Sequence, residues 1–148
     1  SPWGLSWDDE NYYLVGYDSE ADTLKHYRVD KMLHIQMSDE KREGQEHFER
    51  LNIADYAKKS FGMFGGKEQK VKLLVKNELA GVMIDRFGKD IMMIPKEENY
   101  FTVNVDVHIS NQFLGWVFSL GDGVKIISPD EVVEQMKQEV ERLQQQYF

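Results

Sequence analysis

The sequence predicts an α+β chain: an all-β opening segment, then a ferredoxin-like βαββαβ layer closed by a C-terminal helix. Three stretches carry that expectation. Residues 11–32 read as a β-hairpin, with Tyr12, Tyr13, Leu14, Val15 and Tyr17 in its first arm, because aromatic and β-branched side chains pack well on a pleated surface. Residues 101–109 alternate strictly, with Phe101, Val103, Val105, Val107 and Ile109 set against Thr102, Asn104, Asp106 and His108. That is the period of a strand with one buried and one wet face, which makes His108 a surface residue. Residues 128–147 open on Ser128-Pro129-Asp130-Glu131 and continue with Val133, Met136, Val140, Leu143 and Tyr147 three and four apart. This is a capping box with proline at the first helical position, followed by an apolar helical stripe.

Taken in order, Trp3, Leu5 and Trp7 alternate with small or polar residues and predict a first strand. The polar turn 18–22 joins the hairpin arms, and the second arm is expected to run from Leu24 through Met32 and on to Met37. Residues 38–51 are almost wholly polar, a loop or a marginal helix with a solvated surface. Asn52 is placed to cap a short helix through Ile53, Ala54, Tyr56 and Ala57. Paired glycines in the stretch 61–66 then mark the boundary between a first domain, 1–66, and a second, 67–148.

The second half has a clearer rhythm. Residues 70–76 predict a strand. Asn77 is expected to cap a helix through Leu79, Val82, Met83 and Phe87 that Gly88 stops. A strand over 90–95, the alternating strand 101–109, a helix capped by Ser110 and a strand over 124–127 complete the βαββαβ order. Two split β-α-β units of this length make a four-stranded sheet with two helices on one face. The apolar stripe of the last helix packs on its own domain or on a partner's, the alternative being a coiled-coil seam.

Composition narrows the function classes. In 148 residues the net charge is −8, against the broad basic footprint of a general nucleic-acid coat protein, though one local anion site is compatible with it. Seven Tyr, eight Phe and three Trp supply core area to a chain that is 41% hydrophobic. Without cysteine there are no disulfides, thiolate metal sites or cysteine catalysis. No stretch reaches the roughly 18 apolar residues of a membrane helix and no signal peptide is visible, so a cytoplasmic protein with no membrane partner is expected. The chain opens on Ser1-Pro2-Trp3 without methionine and enters a strand pattern at once, as a piece of a longer protein would.

No enzyme motif emerges. Neither phosphate-loop glycine pattern is present, and the four histidines, His26, His34, His47 and His108, form no zinc-type pair, so neither metal nor cofactor is expected. The second hairpin arm, by contrast, sets Lys25, His26, Arg28 and Lys31 within seven residues. In an extended strand His26 and Arg28 point to one face and Lys25 and Lys31 to the other, unless a bulge or the strand end turns Lys31 around. Two readings stand. The cations pair across the hairpin with Asp18, Glu20 and Asp22, Asp30 orienting its neighbours; or they form an anion site. In the second, Arg28 grips a phosphate or carboxylate in two-pronged fashion and Tyr12 or Tyr13 offers a stacking face.

Residues 12–18 and 24–32 resemble the WYL domain of bacterial transcriptional regulators. Tyr12, Tyr13 and Leu14 stand where that family has Trp-Tyr-Leu, and Pro2 to Leu5 matches its preceding Pro-x-x-Leu. Residues 113–121, then 124–129 and a terminal helix, resemble the ending of the associated C-terminal extension, WCX. The resemblance implies a partial Sm-like β-barrel followed by a ferredoxin-like domain. It implies a non-enzymatic ligand sensor whose effector is a nucleotide or single-stranded nucleic acid, within a homodimer. Duplex DNA would be touched only through a helix-turn-helix that is not among these residues. The family's basic positions map onto Lys25, Arg28 and Lys31, with His26 a common variant. Two departures stand out: Tyr12 replaces the tryptophan, and the family's early strands, with their own basic residue, would lie upstream of Ser1. The competing expectation is a ferredoxin-like domain that binds a small-molecule effector, with the WYL half as a docking surface.

Overall fold

The computed structural model describes residues 1–61 and 65–148. Residues 62–64, which fall in the expected glycine-rich boundary, lie outside the described residues. The chain divides into two units, Ser1–Gly65 and Gly66–Phe148.

The first unit is built on strands β1 (Pro2–Asp8), β2 (Asn11–Asp18) and β3 (Thr23–Arg28), joined antiparallel in that order into an open sheet. The turn between β1 and β2 puts Asp9 and Glu10 at positive φ, the left-handed region that short polar residues tolerate best. The second hairpin arm is shorter than expected. It stops at Arg28, and Val29–Lys31 form a single 3-10 turn, with no regular structure over Met32–Met37. A ladder needs a partner, and β2 is almost spent where Tyr13 faces Arg28. Two short helices follow, α1 (Gln45–Glu49) and α2 (Ile53–Lys59). Asn52 caps α2 as expected: its side-chain oxygen accepts from the Ala54 N–H at 3.0 Å and the Asp55 N–H at 3.3 Å. Trp3 stacks on Phe48 at 5.4 Å. Gly44 has φ +80°, and a Cβ there would run into the Tyr17 ring, so glycine alone fits.

The second unit runs β4 (Glu68–Lys76), α3 (Ala80–Phe87), β5 (Met93–Lys96), β6 (Tyr100–His108), α4 (Asn111–Ser119), β7 (Val124–Ser128) and α5 (Asp130–Tyr147). The sheet order is β5-β6-β4-β7, antiparallel throughout. This is the ferredoxin-like arrangement expected from the βαββαβ order, and with the open three-stranded sheet it makes the chain α+β. Val71, Leu73 and Val75 of β4 pair in register with Val105, Val103 and Phe101 of β6 and are all buried. Met83 of α3, Phe113, Leu114 and Val117 of α4, and Val132 of α5 complete that core. Each such side chain contributes about 1.5–3 kcal/mol through burial.

Several local expectations are corrected. Asn77 does not cap α3; it begins a 3-10 turn, Asn77–Leu79, and its side-chain amide donates to the Glu98 carbonyl at 3.3 Å. Gly88 does end that helix, its N–H donating to the Ile84 carbonyl at 2.8 Å. Ser110 does cap α4, accepting from the Phe113 N–H at 3.2 Å. Ser128 is not a helix cap but the last residue of β7, and Pro129, which follows a cis peptide bond, occupies the position before α5. Sheet pairing of Ser128 with Lys72 takes precedence over the capping box. His108 is not a surface residue: it is 6% exposed, its Nε2 lying 3.8 Å from a Glu68 carboxylate oxygen. Thr102, on the same face of β6, is buried too, so alternation there does not separate a buried from a wet face. On α5 the deepest residue is Val132, just outside the expected stripe, and Val140 and Tyr147 within the stripe are exposed.

Among the described residues no helix is long and apolar enough to cross a membrane. Phe113, fully buried at the centre of the second unit, is expected to cost about 3–5 kcal/mol when replaced by alanine. Urea unfolding monitored by far-ultraviolet circular dichroism would read that loss as a lower midpoint.

Candidate anion-binding site

The register of the first sheet sorts the candidate residues. β2 and β3 pair Tyr13 with Arg28, Leu14 with Tyr27, Val15 with His26 and Gly16 with Lys25. Because cross-strand partners share a face, Tyr13, His26 and Arg28 lie on one side of the sheet, and Tyr12, Lys25 and Tyr27 on the other. Strand parity thus separates Lys25 from His26 and Arg28 as expected, whereas Lys31 lies beyond the strand end and escapes that division.

Arg28 is the centre of one group. Its Nε and Nη2 donate to the two carboxylate oxygens of Asp30 at 3.0 and 2.9 Å, and Nη2 also donates to Asn11 Oδ1 at 2.7 Å. The 3-10 turn after β3 makes this possible, since it folds Asp30 back beside the strand end. Lys31 follows on the same turn, with its ammonium 3.6 Å from Asp30 and most of its side chain exposed. The guanidinium thus already holds a carboxylate in the two-pronged geometry that it would use on a phosphate. Arg28 holds the Asp30 carboxyl below the usual carboxylate range, and Asp30 in turn raises the Arg28 guanidinium. A depressed carboxyl contributes its stabilisation above the ordinary Asp pKa, and that contribution is lost as pH falls through the lowered value. At neutral pH the pair is therefore intact. Both partners are substantially exposed, so its strength is screened by solvent.

The remaining candidates are elsewhere. Lys25 is engaged by Asp18, its cross-hairpin neighbour, which raises the ammonium and lowers the carboxyl. That is the internal pairing weighed as one of the two readings. His26 packs against Tyr56 of α2, ring centroids 5.0 Å apart. Tyr13 faces Arg28 across the ladder and stays half-buried. Tyr12 is exposed on the opposite face, edge-on to Trp7 at 4.7 Å. The structure therefore brings Tyr13, Arg28 and Lys31 to one end of the hairpin, and sets Tyr12 and Lys25 on the other face.

Three residues escaped the reading of the sequence. Asn11 orients Arg28 from the start of β2, Trp7 meets Tyr12 on the second face, and Tyr27 is exposed on that same face near Gly16. The β1–β2 register that brings Trp7 to Tyr12 was available in the alternation of residues 3–7 with the hairpin; the Asn11 contact had no sequence signal.

Two family models match the chain: the WYL domain over residues 1–37 and the WCX domain over residues 67–144. No curated protein matches it. Among solved structures, proteasome accessory factor B/C (PafBC) of Arthrobacter aurescens is similar over 91% of this chain and 20% of its own, at 17% identity and a TM-score of 0.40. The present chain spans about a fifth of that protein's length. With the hairpin segment matched to WYL and more than half of its residues to WCX, the chain belongs to the family of proteins that join a WYL domain to a WCX domain.

Proposed function

We propose that the chain is the effector-sensing and oligomerisation module of a bacterial DNA-binding transcriptional regulator, and that it takes an anionic effector at the WYL hairpin. The effector class is a nucleotide or single-stranded nucleic acid. The observation that carries the reading is the Arg28 fork, held by Asn11, flanked by Tyr13 and Lys31, and closed on a carboxylate of its own chain. A phosphate would replace Asp30 in that fork, with Lys31 adding a point charge. Lys25 and His26 contribute only where Asp18 or the α2 packing gives way. Aromatic rings beside cations suit stacked bases. Duplex DNA would be contacted by a helix-turn-helix outside these residues, and the whole reading places the protein in the cytoplasm and involves no reaction.

The oligomerisation part rests on α5. Phe118, Val140, Tyr147 and Phe148 are exposed along α4 and the outer half of α5, bordering open cavities of about 670 and 710 Å³. A second subunit covering this face forms the homodimer in which the effector acts, by binding one dimer arrangement more tightly than the other. The same groove, lined by Val117, Val133 and Met136, also favours the second reading, in which a small apolar effector sits there and the hairpin is a docking surface.

Removing Arg28 takes away a charged hydrogen bond worth about 1.5–3 kcal/mol. Arg28→Ala is therefore expected to weaken short oligothymidylate binding, read by fluorescence anisotropy at low salt, by at least about tenfold. Asp30→Asn is expected to tighten it, because the fork loses its internal competitor. Equal affinity in all three proteins would rule out the Arg28 fork. Val140→Asp is expected to turn a sedimenting dimer into monomer; a wild-type chain that stays monomeric at high concentration removes the dimer. Under the second reading, hydrogen exchange would show ligand protection around residues 117–140 instead of residues 11–31.

A further inference from the structure

The face of the second sheet opposite its valine core is cationic. Parity along β4 sends Val71, Leu73 and Val75 into the core and leaves Lys70, Lys72, Leu74 and Lys76 on the other side. The register then adds neighbours to that row. Lys125 of β7 stands beside Leu74, and Lys96 of β5 stands beside Tyr100, which itself pairs with Lys76. Five of the ten lysines and arginines of residues 66–148 are gathered here, with Glu68 and Asp106 on the same face by register and Asp122 reaching in to Lys76. Chance distribution in an acidic unit would give the opposite balance.

The lysines differ in availability. Lys76 is held by Asp122 at 2.9 Å, and Glu97 and Glu98 lie in the turn directly after Lys96, so charge at that end is largely compensated. Lys70, Lys72 and Lys125 have no carboxylate within ion-pair distance among the described residues, although Asp106 is the ladder partner of Lys70. Lys70 and Lys125 are exposed and Lys72 half-buried; Lys125, on the edge strand, also borders the groove between α4 and α5. No two of these lysines are direct cross-strand partners, so the row is tolerated in the sheet while Lys72 and Lys125 keep their charge available to a ligand.

We propose that this face binds the phosphodiester backbone of a single-stranded nucleic acid, separately from the hairpin site. Lys70 and Lys72 are two residues apart, about 7 Å along the strand, and Lys125 sits on the next strand, about 5 Å over, beside Leu74 and so a further two residues along. A row of point charges on a flat sheet fits an extended polyanion better than one compact anion, which would need a concave site. The cations here are all lysines, which supply charge without the planar fork that reads a base edge or clamps one phosphate. The register places Tyr100 on this face, and the exposed Asn104 supplies a neutral polar group beside Lys72. The binding is therefore backbone-directed and tolerant of sequence.

The test uses the whole chain and a labelled twenty-nucleotide oligothymidylate, titrated across salt by fluorescence anisotropy. Lys70→Gln, Lys72→Gln and Lys125→Gln combined are expected to weaken binding by more than about tenfold and to flatten the salt slope by about two, at roughly 0.7 per neutralised phosphate. The corresponding triple arginine variant is expected to bind like wild type. Placing the triple glutamine change on Arg28→Ala must lower affinity further, which separates this site from the hairpin one. Acetylation footprinting of the wild-type chain gives a readout that needs no variant, with Lys70, Lys72 and Lys125 protected by the oligonucleotide. Unchanged affinity and slope in the glutamine variant, or no protection, overturns the proposal. Equal competition by polyaspartate overturns the nucleic-acid assignment in favour of an acidic protein surface, and preference for duplex over single strand overturns the single-strand assignment.

Discussion

The nine-residue antiparallel pairing of β4 with β6 is the constraint on which the second unit depends. Strand side chains alternate, so one register decision settles two surfaces at once. It stacks Val71, Leu73 and Val75 on Val105, Val103 and Phe101 as the floor for α3 and α4. By the same parity it sends Lys70, Lys72 and Lys76 to the reverse side. A slip of one residue would bury the lysines and expose the valines. Core and cationic face are two consequences of one ladder, and the stability of the first holds the second in place.

The first unit works on a smaller margin. Three short strands and two short helices bury few side chains completely, Val15 among them. Much of what positions Arg28 is polar and local: the Asn11 amide, the Asp30 carboxylate and the 3-10 turn that returns it. Such contacts on an exposed strand end are individually weak, as the proposed exchange of Asp30 for an outside anion would require.

The regular elements were legible wherever period and burial coincide. The alternation over 101–109, the Asn52 and Ser110 caps, the Gly88 stop and the βαββαβ order could all be read from residue types, and the chain order then implied the sheet order. What the sequence concealed was competition between local and tertiary demands. Ser128 carries a good capping signature yet stays in the sheet, Asn77 gives its side chain to a neighbouring turn, and β3 ends where its partner strand runs short. His108 looked wet because alternation says which way a side chain points, not whether that face is covered. For the hairpin, parity separated Lys25 from His26 and Arg28, but it set Lys31 with Lys25, and the turn at the strand end brought Lys31 beside Asp30 instead. The placement of Asp30 in the Arg28 fork needed the turn geometry, which no residue pattern specifies.

That internal carboxylate has a consequence for how a sensor would respond. A guanidinium already occupied by its own chain is available to an outside anion only in the fraction of molecules in which the fork stands open, and the apparent affinity falls by that fraction. The intrinsic grip of the arginine is then not the quantity that a cell would tune. In the proposed sensor, the strength of the Arg28–Asp30 contact would set a threshold concentration below which stray phosphates and carboxylates go unnoticed. Substitution at residue 30 could move that threshold in either direction without altering a single atom that touches the signal.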